Sequence, residues 1–408
     1  MNRRDFIAML GASAALTIPL GRNVWAASTA SSQPNRKLVV VLLRGAVDGL
    51  SVLPPWSDKD YYQERGRIAI ARPGEEGGAI RLDARFGLHP ALAALYPLWQ
   101  AGQLAFIPAS GSPDPTRSHF DAQDYLESGT PGNKSTATGW LNRLLASFPA
   151  HGAGDRALAL GATQPRILAG PQQIAVLGSG KSANRQSAFD RPKIAAAFDA
   201  LYSGNDVLAQ QYRLARSSRE QLRMALETEM DEASRGAPLP DNFVGDAQRL
   251  GRLMRGNASL QIAFADLGGW DTHINQGHAE GMLANRLEPL GQGLATLARE
   301  LGQDWDNTVV LVMSEFGRTI RENGSGGTDH GHGNVLWLLG GKINGGRILG
   351  QWAGLSERYQ ERDVPVFNDY RQITAQLLGA HLGLRDNQLA SVFPSMPKFT
   401  NLGPLLRG

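Results

Sequence analysis

Along the chain, short runs of consecutive apolar residues alternate with longer stretches in which apolar positions recur every three or four residues. The short runs are Lys37–Gly45 (KLVVVLLRG), Gln103–Ser110 (QLAFIPAS), Arg156–Gly161 (RALALG), Leu260–Gly269 (LQIAFADLGG), Asn307–Gly317 (NTVVLVMSEFG) and Asn334–Gly341 (NVLWLLGG). An apolar run without polar alternation is how a strand covered on both faces reads. The helical stretches are HPALAALYPLWQAG, SHFDAQDYLESG, AEGMLANRLEPLGQGLATLARELG and YRQITAQLLGAHLG. Strands alternating with helices predict the α/β class, a mostly parallel central sheet flanked by helices. A long polar-faced segment around residues 193–245 lacks an intervening run and predicts a helical excursion over one edge. The stretch AVLGSGKS (Ala175–Ser182) satisfies a relaxed phosphate-loop pattern, but a polar, proline-containing segment follows it instead of a helix. It reads as a glycine-rich loop.

The N-terminus departs from this alternation. Asn2–Ala26 (NRRDFIAMLGASAALTIPLGRNVWA) carries paired arginines, an apolar run broken by Pro19 and a small-residue exit. This is the pattern of a twin-arginine export signal spanning residues 1–26, which implies a periplasmic protein exported already folded. Residues 27–36 read as a polar linker, and 37–408 as one α/β domain. No second stretch is long enough to span a membrane, so the mature chain is expected to have no span. The formal charge of +3 comes from scattered basic residues, which argues against a nucleic-acid partner. The absence of cysteine removes disulfides and thiolate chemistry, leaving His, carboxylates, Ser and Thr for any catalysis.

Those residues collect where the predicted strands end, the usual ligand edge of an open parallel sheet. Arg44 and Asp48 follow the first run. Ser112, Asp114, Thr116, Arg117, Ser118, His119 and Asp121 follow the second. Asp271, His273 and His278 follow Leu260–Gly269, Glu315 and Arg318 follow the next, and Asp329, His330 and His332 precede the last. Five of the eight histidines lie in these ends, and independent turns have no reason to place them so; a metal-bearing site is the expectation. Singly, each has a plainer role: Ser118 as a helix N-cap, Glu315 with Arg318 as a local ion pair, the histidines as loop residues.

The blocks RRDF, LRGAVDGLS, GSPDPTRSHFDAQDYLESG, GWDTH, SEFGRT and GTDHG resemble those of an exported bacterial domain-of-unknown-function family (DUF1501), itself similar to the alkaline phosphatase and sulfatase superfamily. The resemblance implies an alkaline-phosphatase-like fold with one or two divalent metals at strand ends and a hydroxyl nucleophile at a helix N-terminus. Asp48, Asp271, His273 and either His330 or His332 resemble the metal ligands; Asp271, His273 and His332 are expected around one ion, with Glu315 or Asp48 completing or bridging the site and His330 as the alternative late ligand. Ser118 resembles the nucleophile, with Thr116 in reserve. Phe316 stands where the superfamily carries a ligand histidine. Arg44, Arg117 or Arg318 would grip the substrate's oxygens.

The expected function is an exported hydrolase of phosphate or sulfate esters dependent on a divalent metal ion, Zn, Mn, Mg or Ca. Its substrate would be a small anionic ester or a glycan- or lipid-linked one. The alternative is a non-catalytic periplasmic binding protein on the same fold.

Overall fold

The computed structural model describes residues 36–148, 156–161, 163–178, 233–257, 259–397 and 402–408. The expected export signal, nearly all of the linker and residues 193–232 of the expected helical excursion lie outside the described residues.

The first apolar run forms β1 (Lys37–Leu43), and all seven of its residues are buried. The other runs give β2 (Leu104–Gly111), β3 (Ala157–Leu160), β5 (Ile262–Leu267), β6 (Thr308–Ser314) and β7 (Asn334–Leu339). The short strands β4 (Ala175–Leu177), β8 (Arg347–Ile348) and β9 (Asn368–Asp369) complete the sheet. Its order is β8-β2-β7-β6-β1-β5-β3-β4, with β9 also on β2. Pairing is parallel throughout except around β7, which runs antiparallel to both β2 and β6. The sheet is therefore mixed but mostly parallel. β4 occupies the start of the AVLGSGKS stretch, whose residues 179–182 lie outside the described part.

Alternation within β1 divides the core. Val39, Val41 and Leu43 face one apolar layer, and Leu38, Val40 and Leu42 face the other. The first layer is covered by α4 (Phe243–Gly256) and α5 (Met282–Leu301). In α5, Leu283, Leu287, Leu290, Leu294, Leu297 and Leu301 follow a 4-3-4-3-4 spacing and are buried. Each such leucine contributes about 2 kcal/mol of burial. The opposite layer is covered by α3 (Trp140–Ala146), α6 (Tyr370–Leu382) and α7 (Asp386–Val392). α1 (Lys59–Arg65) and α2 (His119–Ser128) approach the sheet at its C-terminal edge. Among the described residues, no helix is long and apolar enough to cross a membrane.

Candidate metal centre

The sheet's register explains why separated segments meet. Leu43 at the end of β1 pairs with Leu267 of β5 and Ser314 of β6, so these three strands end level. Because β7 is antiparallel, its beginning, not its end, lies on this edge. The segment before β7 is thus brought beside the residues that follow β5 and β6. Backbone bonds fasten it there: Thr328 N–H to Thr272 O (3.1 Å), Gly331 N–H to Gly317 O (2.8 Å) and Gly317 N–H to His332 O (2.8 Å). Gly327, Gly331 and Gly333 of GGTDHGHG are required by this closeness. A Cβ on Gly327 would stand 2.4 Å from the His273 carbonyl, and one on Gly331 2.5 Å from the Arg318 carbonyl carbon.

Three imidazoles and one carboxylate converge on the edge. His119 Nε2 lies 2.9 Å from His330 Nε2, and His273 Nε2 lies 3.0 Å from the same atom. Asp271 is fully buried. Its Oδ1 meets His273 Nε2 at 3.0 Å, His330 Nε2 at 3.3 Å and the Arg318 guanidinium, while its Oδ2 is 3.5 Å from His119 Nε2.

The partners of the far nitrogens fix the tautomers of His119 and His330. His119 Nδ1 faces Glu315 Oε1 at 2.8 Å, His330 Nδ1 faces the Arg117 carbonyl at 2.8 Å, and His273 Nδ1 faces Asp329 Oδ1 at 3.4 Å. Carboxylates and carbonyls only accept, so the Nδ1 of His119 and of His330 carries the proton and each of these rings, when neutral, turns a lone pair inward, whereas His273 has its shorter carboxylate contact, 3.0 Å to Asp271 Oδ1, at Nε2. Lone pairs 2.9 Å apart repel unless a proton or a cation lies between them.

A proton is the ion-free solution. Burial pulls the His119 imidazolium down, but hydrogen bonds and charge from Asp271 and Glu315 outweigh it and push the group up to about 9. Burial pulls His330 below its ordinary value despite Asp271. Burial alone would raise Asp271, yet His119, His273, His330 and Arg318 hold it well below the usual carboxylate range. Glu315 behaves alike: burial raises it, and His119 and Gln123 hold it at about 2.

A cation is the other solution, and the donor set fits one. Ligands bound at about 2.1 Å around a tetrahedral ion stand about 3.4 Å apart, close to the separations seen here. Among the described residues, His119, Asp271 and His330 form the group of three able to share an ion. Asp271 Oδ2 is buried without a hydrogen-bond partner, an orphan acceptor on the side facing His119.

The other expected site residues are placed as follows. Glu315 supports the cluster through His119, and is itself held by Gly45 N–H (2.7 Å) and Gln123 Nε2 (2.9 Å). Asp48 makes its bonds elsewhere, to Arg65, Ser51 (2.7 Å) and Gln276 (2.7 Å). His332 also turns away: its Nε2 donates to Ser112 O (3.1 Å) and its ring packs on Tyr359. Ser118 is exposed, and its hydroxyl accepts from Asp121 N–H (3.4 Å) as the cap of α2. Thr116 Oγ1 accepts from Ser118 N–H (3.3 Å). Arg44 and Arg318 are buried against Asp266, Glu127 and Asp271. Arg117 is partly exposed and paired with Asp363 (2.6 Å). Phe316 packs its ring against His119 and His330, with centroids 4.8 and 5.2 Å away, forming an apolar wall.

His119 is the member that sequence reasoning passed over in favour of its neighbour Ser118. The signal was a histidine at the first helical position behind a strand end.

The family model described as "Protein of unknown function (DUF1501)" matches residues 98–393, a span that contains every member of the cluster. The chain belongs to the DUF1501 family. No curated protein matches this DUF1501 chain. Among solved structures, it is similar to a protein in the alkaline phosphatase superfamily from Vibrio parahaemolyticus, with 11% identity and a TM-score of 0.38 over 84% of this chain and 65% of that one. A similar match is the zinc complex of the C-terminal periplasmic domain of EcEptC from Escherichia coli, at 12% identity and TM-score 0.39 over 90% and 88%. BT1596, a 2-O GAG sulfatase, matches at 9% identity and TM-score 0.35 over 76% and 65%. Similarity this distant carries no functional argument, which rests on the site's own geometry.

Proposed function

We propose that this DUF1501 protein is an exported hydrolase of phosphate or sulfate esters that works with one divalent metal ion. The observation that supports it most strongly is the convergence of His119 and His330 Nε2, 2.9 Å apart and with tautomers fixed, on the carboxylate of Asp271, whose Oδ2 is an orphan acceptor facing His119. Two imidazoles and one carboxylate suit zinc or another nitrogen-seeking transition ion far better than magnesium or calcium, which take all-oxygen shells. Three protein ligands leave an open position, the arrangement of catalytic rather than structural sites. Bound there, such an ion supplies Lewis-acid charge for the departing oxygen and acidifies water.

The chain's own residues do the rest. Glu315 and the Arg117 carbonyl hold His119 and His330 in the ligating tautomer. Phe316 keeps water from the rear of both rings. Arg117, at the partly exposed rim, is the cation placed to meet an anionic ester. The paired arginines at residues 3 and 4 support export by the twin-arginine route to the periplasm.

A second reading follows from Ser118. Its exposed hydroxyl caps α2, which accounts for the residue without a nucleophilic role. On that reading the chain binds an ion and a ligand without turning the ligand over. The two are separated by elemental analysis of purified protein followed by a panel of chromogenic phosphate and sulfate esters. Stoichiometric metal with turnover that chelation abolishes supports the hydrolase; stoichiometric metal without turnover on any ester supports the binding protein; no metal after zinc loading overturns both.

A further inference from the structure

The centre holds a cation already. Arg318 is buried, and its guanidinium is engaged along its length: Nε donates to Thr328 Oγ1 (3.1 Å), one terminal nitrogen to Asp271 Oδ1 and the other to the Thr328 carbonyl. Thr328 is in turn fixed by its N–H on Thr272 O (3.1 Å) and its hydroxyl on Gln276 Oε1 (3.1 Å). Gln276 passes the chain to Asp48 through Nε2 (2.7 Å). A guanidinium with this many partners cannot swing aside for an incoming ion.

The two oxygens of Asp271 are therefore unequal. Oδ2 is without a hydrogen-bond partner and faces His119. Oδ1 is taken by Arg318, with His273 Nε2 3.0 Å and His330 Nε2 3.3 Å from it. A metal ion on Oδ1 would sit beside a permanent positive charge in a buried setting, where like charges repel strongly. Another buried carboxylate of this edge, Asp48, is matched in the same way by Arg65, which grips both of its oxygens.

We infer that Arg318 limits the centre to a single ion: it occupies Asp271 Oδ1 and leaves only Oδ2, with His119 and His330, to ligate. This rests on the metal centre proposed above. Arg318 is a positioning residue, aiming Oδ2 whether or not an ion is present, and His273 belongs to a second half-site that the guanidinium keeps closed.

The test is ion counting. The full chain, stripped by chelator, is titrated with zinc and the bound ions are counted by native mass spectrometry, with affinity from calorimetry. Wild type and Arg318→Lys, which keeps the charge, take one ion. Arg318→Gln takes a second, and His273→Ala on that background removes it. In the wild-type background His273→Ala leaves zinc affinity within about threefold, a result that needs no Arg318 variant to fold. Two ions in wild type, one ion in a folded Arg318→Gln protein with unchanged affinity, or a tenfold or greater loss in the single His273→Ala variant overturns the inference while leaving the metal centre standing. No ion in wild type overturns the centre itself.

Discussion

Two buried aspartates stand at the same sheet edge and differ in what is left over. Around Asp48, one oxygen accepts from Arg65 (2.9 Å) and the other from Arg65, Ser51 and Gln276, so both oxygens have donors. Around Asp271, one oxygen is matched by Arg318 and the other has no hydrogen-bond donor, while the Nε2 atoms of His119 and His330 stand 2.9 Å apart with at most one proton to share. The first region is a closed ion pair; the second has more acceptors than protons. Burial is the same in both, so burial and charge do not distinguish a structural carboxylate from a ligating one. The balance of donors and acceptors does.

The largest expected effect lies on the open side. His119→Ala and His330→Ala each remove a ligand, and zinc should no longer copurify, as elemental analysis would show; retention of a full equivalent by either variant would erase the distinction. On the closed side, Asp48→Asn leaves the Arg65 charge buried without its partner, which costs on the order of 3–5 kcal/mol. Denaturant unfolding should show that loss while zinc stoichiometry is unchanged. An Asp48→Asn protein that is stable but metal-free would reverse the two assignments.

How far the sequence carried this comparison depends on the kind of contact. The six long strands were legible because consecutive apolar residues such as Val39–Leu43 have no other good reading. The convergence of Asp271, His273 and Glu315 was legible as chemistry crowding at strand ends, with His330 only the alternative to His332. Asp48 was not, because its role is decided by Arg65, which packs on it from a separate helix and leaves no local mark in the sequence. His119 was hidden by rotation: successive helical residues diverge by about 100°, so Ser118 faces solvent while the next side chain points into the cluster. His332, the expected late ligand, lies two residues beyond His330 and is turned to Ser112.

Smaller effects sharpen the contrast. Glu315→Gln keeps an acceptor for His119 Nδ1 but removes its charge, and zinc affinity should fall about 10- to 100-fold by calorimetry with the fold retained. No change would mean that His119 is oriented by packing on Phe316 alone. Smallest of all, Ser118→Ala removes a helix cap and should cost about 1 kcal/mol in thermal or denaturant unfolding, leaving zinc binding intact. If the variant loses metal, or loses ester turnover while remaining folded and metal-loaded, Ser118 belongs to the chemistry and not only to the cap.

The most direct measurement is anomalous diffraction at the zinc edge from crystals of the zinc-loaded protein. The account predicts one peak about 2.1 Å from His119 Nε2, His330 Nε2 and Asp271 Oδ2, with the Arg318 guanidinium still on Oδ1. A peak held instead by Asp48 or His332, or a zinc-soaked crystal with no peak between the His119 and His330 rings, would contradict it.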